Sequence, residues 1–397
     1  MEVCLWITPK IFDSLHKPNE SGFFDHYEPW LRGREITLVF CAGNGDHILG
    51  YRGDPDVGFD WARYNCYAGD THPRAHNLDW LTRVREGGER SYNPYSAGPM
   101  FILSEQPMDY HVLAGIYGWI RDEAGRRGLD VRLLEYLEPG PEFCRSEWKT
   151  VLHPEVSATP ADAGGHLVPG VLDVTLPLAA DPRPYRAFPG GIPAGLPAGD
   201  FVAAQAAAFT GDFGLDGIML GNQFGLTGFW DPRNAPPLTP ERVAGIARFF
   251  TCLRERMGTK AVYWMDTYWR AEVEREAWGM APSCYAALDA ILVSDFAVLV
   301  ERTEIVPNLR SKAALGPRTL LGLDFVDPWY WYRTHLDDQR TYRYQREVLE
   351  REAALIDGVC FFANDTFGHF IPHGPLDETR AAVEAAERVR AIHACSR

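Results

Sequence analysis

Residues 212–225, DFGLDGIMLGNQFG, carry three structural signals in a short space. A helical pattern stops at Gly214, the apolar run GIML (217–220) follows, and the polar pair Asn222-Gln223 comes directly after it. Glycine past a helical pattern is a stop signal, because it accepts the left-handed backbone of a helix end. A short, uninterrupted apolar run is what a strand covered on both faces requires. The stretch therefore reads as the close of one α/β repeat and the start of the next, with Asn222 at a strand tip.

The same alternation recurs outward in both directions. Eight apolar runs are spaced along the chain: 3–8, 35–41, 131–137, 217–220, 261–265, 290–294, 319–323 and 358–363. Helical patterns separate them at 108–128, 199–214, 239–258 and 338–358, and a last one closes the chain at 375–394. The segment at 239–258 has Thr239 as N-cap, Pro240 at the first helical position and Gly258 as its stop. Strand–helix alternation predicts a parallel sheet, and eight units predict an α/β fold of the (β/α)8 TIM-barrel type. No strand is followed by G-x-G-x-x-G, and no phosphate-binding loop is present, so the open nucleotide-binding sheets are disfavoured. The expected organisation is one barrel over 1–397, with long insertions at 42–107 after the second strand and 138–200 after the third. Connections of that length are usually functional, and both should lie over the C-terminal face.

Composition narrows the partners. The 397 residues carry a formal net charge of −15, which disfavours nucleic acid and anionic membrane surfaces. The start MEVCLWITPK lacks a basic segment followed by a long apolar one, and no apolar run is long enough for a membrane span. A cytoplasmic location is expected. The 8 cysteines are scattered without C-x-x-C spacing, so neither a disulfide framework nor a zinc site is expected. Aromatic residues make up 13% of the chain, enough to supply ring platforms as well as a core. No cofactor is implied, and homo-oligomer formation is left open.

Chemistry in such a barrel belongs to the C-terminal tips of the strands. The tips supply Glu135 and Glu138; Asn222 and Gln223; Asp266; Asp295; Asp324 and Asp327; and Asn364, Asp365 and His369. One Asp after a strand is commonly a helix cap. A ring of carboxylates around one mouth is harder to explain structurally, because converging like charges repel, whereas a catalytic site uses that repulsion to separate pKa values. No tip carries a Lys for Schiff-base chemistry, since Lys260 precedes its strand, and the histidines are not spaced as metal ligands. Paired carboxylates with sugar-stacking rings match glycoside hydrolysis. Trp264, Trp269, Trp329, Tyr330 and Trp331 are the candidate platforms, and Trp6 is either a pocket floor or core. Glu135, Gln223, Asp324, Asn364, Asp365 and His369 are candidate substrate contacts.

GLDGIMLGNQFG (214–225) resembles the fourth-strand motif of (β/α)8 glycoside hydrolases of the α-glucosidase, α-galactosidase and dextranase kind, in which a G-x-D-G turn leads into a strand ending in a nucleophilic Asp. LVSDF (292–296) is similar to their sixth-strand segment, whose Asp is the acid/base. The resemblance implies a retaining mechanism on an oligosaccharide or glycoside, with Asp295 as acid/base. It departs at the nucleophile, where Asn222 stands and an amide cannot form the glycosyl ester. Three readings stay open. Asn222 is a deliberate Asp→Asn change; or Asp266 and Asp295 are the working pair; or the barrel binds carbohydrate without turnover.

Overall fold

The computed structural model describes residues 1–7, 19–42, 45–54, 110–137, 173–221, 226, 237–266, 270–293, 305–323, 340–362 and 376–395. Eight strands form a closed barrel in sequence order: β1 (Glu2–Ile7), β2 (Ile36–Phe40), β3 (Val131–Leu137), β4 (Gly217–Leu220), β5 (Ala261–Asp266), β6 (Ala290–Val293), β7 (Arg318–Gly322) and β8 (Gly358–Phe362). Every neighbouring pair is parallel, and the seam closes where Glu2 of β1 registers with Gly358 of β8. The fold is the (β/α)8 barrel that the alternation predicts.

Helices return the chain between strands. Among the described residues they are α1 (Asn19–Leu31), α2 (Asp46–Leu49), α3 (Tyr110–Arg126), α4 (Ala198–Asp212), α5 (Pro240–Met257), α6 (Ala271–Trp278), α7 (Pro282–Tyr285), α8 (Ile305–Ala313), α9 (Arg340–Arg351) and α10 (Leu376–Cys395). The start of α5 follows the sequence signals closely. Thr239 accepts from the Arg242 amide at 3.3 Å, Pro240 opens the helix, and Gly258 ends it at φ 58°.

Two cores follow from the period of two along a strand. Val3, Leu5, Leu38, Leu133, Leu137, Ile218, Val262, Ile291 and Val359 belong to one buried cluster with the helices. The alternate residues Cys4, Trp6, Val39, Leu134, Tyr136, Met219, Met265, Leu292 and Cys360 are buried outside that cluster and fill the lumen. Cys4 and Cys360 are register partners across the seam, and burial pushes the Cys4 thiol well above its ordinary pKa.

Of the two long insertions, 42, 45–54 and 173–200 are described. Both lie along the helical layer. Gln205 of α4 donates to the carbonyls of Leu49 and Tyr51 at 2.9 Å and accepts from the Ala187 amide at 2.8 Å. Arg186 pairs with Asp212, and Arg242 of α5 with Asp173 at 2.7 Å. The remaining parts of these insertions lie outside the described residues.

Candidate functional site

The two ends of the barrel are built from different chemistry. At the N-terminal end the tripeptides Leu215-Asp216-Gly217, Leu288-Asp289-Ala290 and Ile356-Asp357-Gly358 lead into β4, β6 and β8. Each Asp carboxylate accepts the amide of a residue on the preceding strand: Leu133, Val262 and Thr319, all at 2.8 Å. Each also takes an arginine from a helix: Arg121 at 3.0 Å, Arg254 at 2.6 Å and Arg390 at 2.6 Å. A charged acceptor on a strand-end amide holds the register of that strand pair. The Asp of GLDG is therefore a structural group at the end opposite the strand tips. Its recurrence shifts the weight of the family resemblance onto the tips alone.

Inside that end, four odd-numbered strands contribute a polar layer. Glu2 of β1 accepts from Thr37 at 2.5 Å and from Tyr263 of β5 at 2.8 Å, and pairs with Arg318 of β7 at 2.8 Å. Arg132 of β3 and Arg318 each donate to the Tyr263 hydroxyl at 2.7 Å. Burial alone would raise the Glu35 carboxyl, but hydrogen bonds and charge from Arg318 and Arg132 hold it below the usual range. A cavity of about 680 Å³ opens here, lined by four basic residues (Arg34, Arg132, Lys260, Arg318) and four acidic ones (Glu35, Asp130, Asp216, Asp289). This layer was not anticipated from sequence, although Arg132 is visible as a charge inside an apolar run, and Glu2 and Arg318 as charges directly before theirs.

At the C-terminal end, parallel strands bring all eight tips to one rim. Asp266 is the last residue of β5 and registers with Val293, the last residue of β6. Asn222, Asp295, Asp324 and Asn364 each stand two residues beyond the ends of β4, β6, β7 and β8 in sequence. These four, with Glu138, Gln223, Trp269, Asp327, Trp329, Tyr330, Trp331, Asp365 and His369, lie outside the described residues.

Beneath the rim the lumen is closed by penultimate residues of three strands. Trp6 of β1 packs edge-on against Tyr136 of β3 with ring centroids 5.6 Å apart, and the Tyr136 hydroxyl reaches the Met265 sulfur of β5 at 3.9 Å. Trp6 is 1% exposed, so its ring belongs to the lumen packing.

Two candidates face the other way. Trp264 has the parity of Val262, joins the helix-facing core, and sits 5.7 Å from Phe250 of α5. Its ring is spent on helix packing and does not face the lumen as a platform would. Glu135 shares the parity of Leu133 and Leu137, so its carboxylate points behind the barrel wall. There it accepts from the Ala42 amide at 2.9 Å and the Tyr117 hydroxyl at 2.5 Å, and meets His47 Nε2 at 3.1 Å. All of its surroundings are protein, and it is fully buried.

Among the described residues, no group of three or more His, Cys, Asp or Glu could hold a metal ion, and no helix is long and apolar enough to cross a membrane. No protein-family model matches the chain, and no curated protein matches it. Among solved structures it is similar to an α-galactosidase from Thermus thermophilus, determined with p-nitrophenyl α-D-galactopyranoside. The TM-score is 0.41 at 10% identity, covering 96% of this chain and 61% of that one. The chain thus spans less than two thirds of the length of that enzyme.

Proposed function

We propose that the chain is a glycoside hydrolase of the retaining type whose site lies at the C-terminal rim, with Asn222 in the place of the nucleophile and Asp295 as general acid/base. The observation that carries the reading is the closed, all-parallel barrel. It gives every strand the same polarity, so β4 to β8 all end at one rim, which supports a site built from the carboxylates and amides that follow them in sequence. The Trp6–Tyr136–Met265 layer supports it by closing the lumen under that mouth, which makes the site a bowl rather than a channel. Protonation of the glycosidic oxygen by Asp295 and attack by a carboxylate at position 222 would pass through a glycosyl ester. An oligosaccharide or glycoside is the proposed substrate, and a cytoplasmic location is proposed with it.

The test is Asn222→Asp assayed on a panel of p-nitrophenyl glycosides. Turnover should rise by about a thousandfold or more over the chain as it stands, since losing a nucleophile removes most of a rate enhancement. Proton NMR of the first product should show the anomer of the substrate. Turnover already present with Asn222 would remove that residue from the nucleophile's place.

One observation favours a second reading. Asp266 closes β5 in register with the end of β6, two residues before Asp295. Carboxylates from adjacent strands could serve as base and acid of an inverting pair, separated by about 6.5–9.5 Å to admit water. Initial release of the opposite anomer would select it. A barrel that binds carbohydrate without turnover would show sugar binding and no hydrolysis in either form.

A further inference from the structure

We propose that Glu135 is a positioning residue that fixes the exit of β2 at the rim from behind the barrel wall. Ala42 follows β2 directly, after Cys41, whose amide donates to the Ile7 carbonyl at the end of β1 at 2.8 Å. Its own amide donates to Glu135, so the first turn of the connection hangs on a side chain of β3 and not on a neighbouring backbone. The same carboxylate oxygen meets His47 of α2, and the other takes Tyr117 of α3. One buried carboxylate therefore joins the β2 exit, α2 and α3. His47 is seated further by Tyr110, which donates to its carbonyl at 2.8 Å, and by Phe209 of α4, whose ring lies 5.4 Å from the imidazole.

The chemistry explains why a carboxylate stands here. Two donors, the Ala42 amide and the Tyr117 hydroxyl, converge with His47 Nε2 from three elements, and a carboxyl group has oxygens enough to meet all of them. Burying a carboxyl group costs free energy that its hydrogen-bond partners offset, so the group rewards a single arrangement of the exit. A hydrophobic residue of the same parity, like Leu133 or Leu137, would fill the space without setting the Ala42 amide. Glu135 touches no substrate in this scheme. It acts through the turn at Ala42, which stands one strand from Trp6 and so borders the proposed mouth.

The functional half of the inference rests on the glycosidase reading, so the experiment has two arms in the full chain. In the first, Glu135→Gln, which swaps an acceptor for a donor, is compared with Tyr117→Phe, which removes one donor and leaves the carboxylate. Amide exchange at Ala42 and residues 47–49 should quicken about tenfold in Glu135→Gln and less in Tyr117→Phe, while β5, β6 and β7 keep their protection. In the second arm, Glu135→Gln is added to Asn222→Asp. KM for the glycoside that variant hydrolyses should rise about fivefold, with kcat changed less than about twofold, as when ground-state and transition-state binding weaken together. Unchanged exchange at Ala42 overturns the proposal, as does faster exchange spread over all strands. A fall in Tm with KM unmoved reduces Glu135 to core packing. If Asn222→Asp hydrolyses no glycoside, the glycosidase reading falls, and the exchange arm still decides whether Glu135 holds the β2 exit.

Discussion

Asp216, Asp289 and Asp357 stand before their strands, at the N-terminal end, and each is bound by a strand amide and a helix arginine. Asp266 ends β5 at the other end, and in sequence Asn222, Asp295, Asp324 and Asp365 follow the strands that finish there. The same residue type flanks the strands on both sides, yet a carboxylate before an even-numbered strand is used up by the fold. The difference teaches which acids to count. A strand beginning in a closed barrel leaves amides of the preceding strand unpaired, and an acid just upstream is placed to take them. Past the strand ends the ladder places no such demand, and barrel enzymes in general draw their ligand-binding side chains from there.

That contrast predicts that changes at the C-terminal end alter turnover and spare stability, while changes at the N-terminal end do the reverse. The largest effect should come from Asp295→Asn in the Asn222→Asp background. Loss of a general acid lowers kcat by about 10²–10⁴-fold, and the thermal midpoint should stay within a few degrees. Retained turnover would break the comparison at its functional side.

Next comes Gly217→Ala. A methyl there would stand 2.0 Å from the Ala261 carbonyl oxygen and 2.7 Å from its carbon, so backbone must move. The expected loss is about 3 kcal/mol by urea denaturation. Ala290 occupies the matching place at the start of β6 and already carries a methyl; Ala290→Gly should cost only about 0.5–1 kcal/mol. Equal costs would mean that the backbone at Ala261 yields to the added methyl and that the close approach at Gly217 holds nothing in place.

The smallest effect is in pH. The Glu35 carboxyl lies below its usual range through Arg318 and Arg132, against the opposing push of burial. A depressed folded value means that its stabilisation is complete above the unfolded pKa of about 4.3 and is lost as pH falls through the folded value. Glu35→Gln should flatten the urea midpoint against pH below about 4. Glu35 is nearly half exposed, so the change is modest. A Glu35→Gln profile that tracks the parent throughout would remove Glu35 from the polar layer's energetics.

Much of the scaffold was legible. The runs at 131–137 and 217–220 coincide with β3 and β4, because strands covered on both faces are bounded by the polar residues that flank them. The helical patterns before β3, β4 and β5 hold as α3, α4 and α5. Missed were α1 and α8, which contain Pro29 and Pro307, and the short, charged α6. Proline reads as a breaker in sequence but is accepted in the first turn of α8, where its missing donor has no partner to lose.

Site residues were legible only as positions. The order of strands, the parallel barrel and the sequence distance of Asn222, Asp295 and Asp324 from their strand ends follow from the chain itself, because hydrophobic period and stop signals are local. Which way a side chain faces is not local. β3 and β5 are buried on both sides, so no polar alternation marks the lumen, and Glu135 and Trp264 look as well placed as Tyr136 and Met265. Closure of the barrel settled it: register with neighbouring strands sends one parity inward and the other toward the helices. Tertiary structure alone turned Glu135 toward Ala42, His47 and Tyr117, put Trp264 against Phe250, and revealed Asp216 as one of three register-holding acids, because each depends on partners distant in sequence that only the closed ring of strands brings within hydrogen-bonding reach.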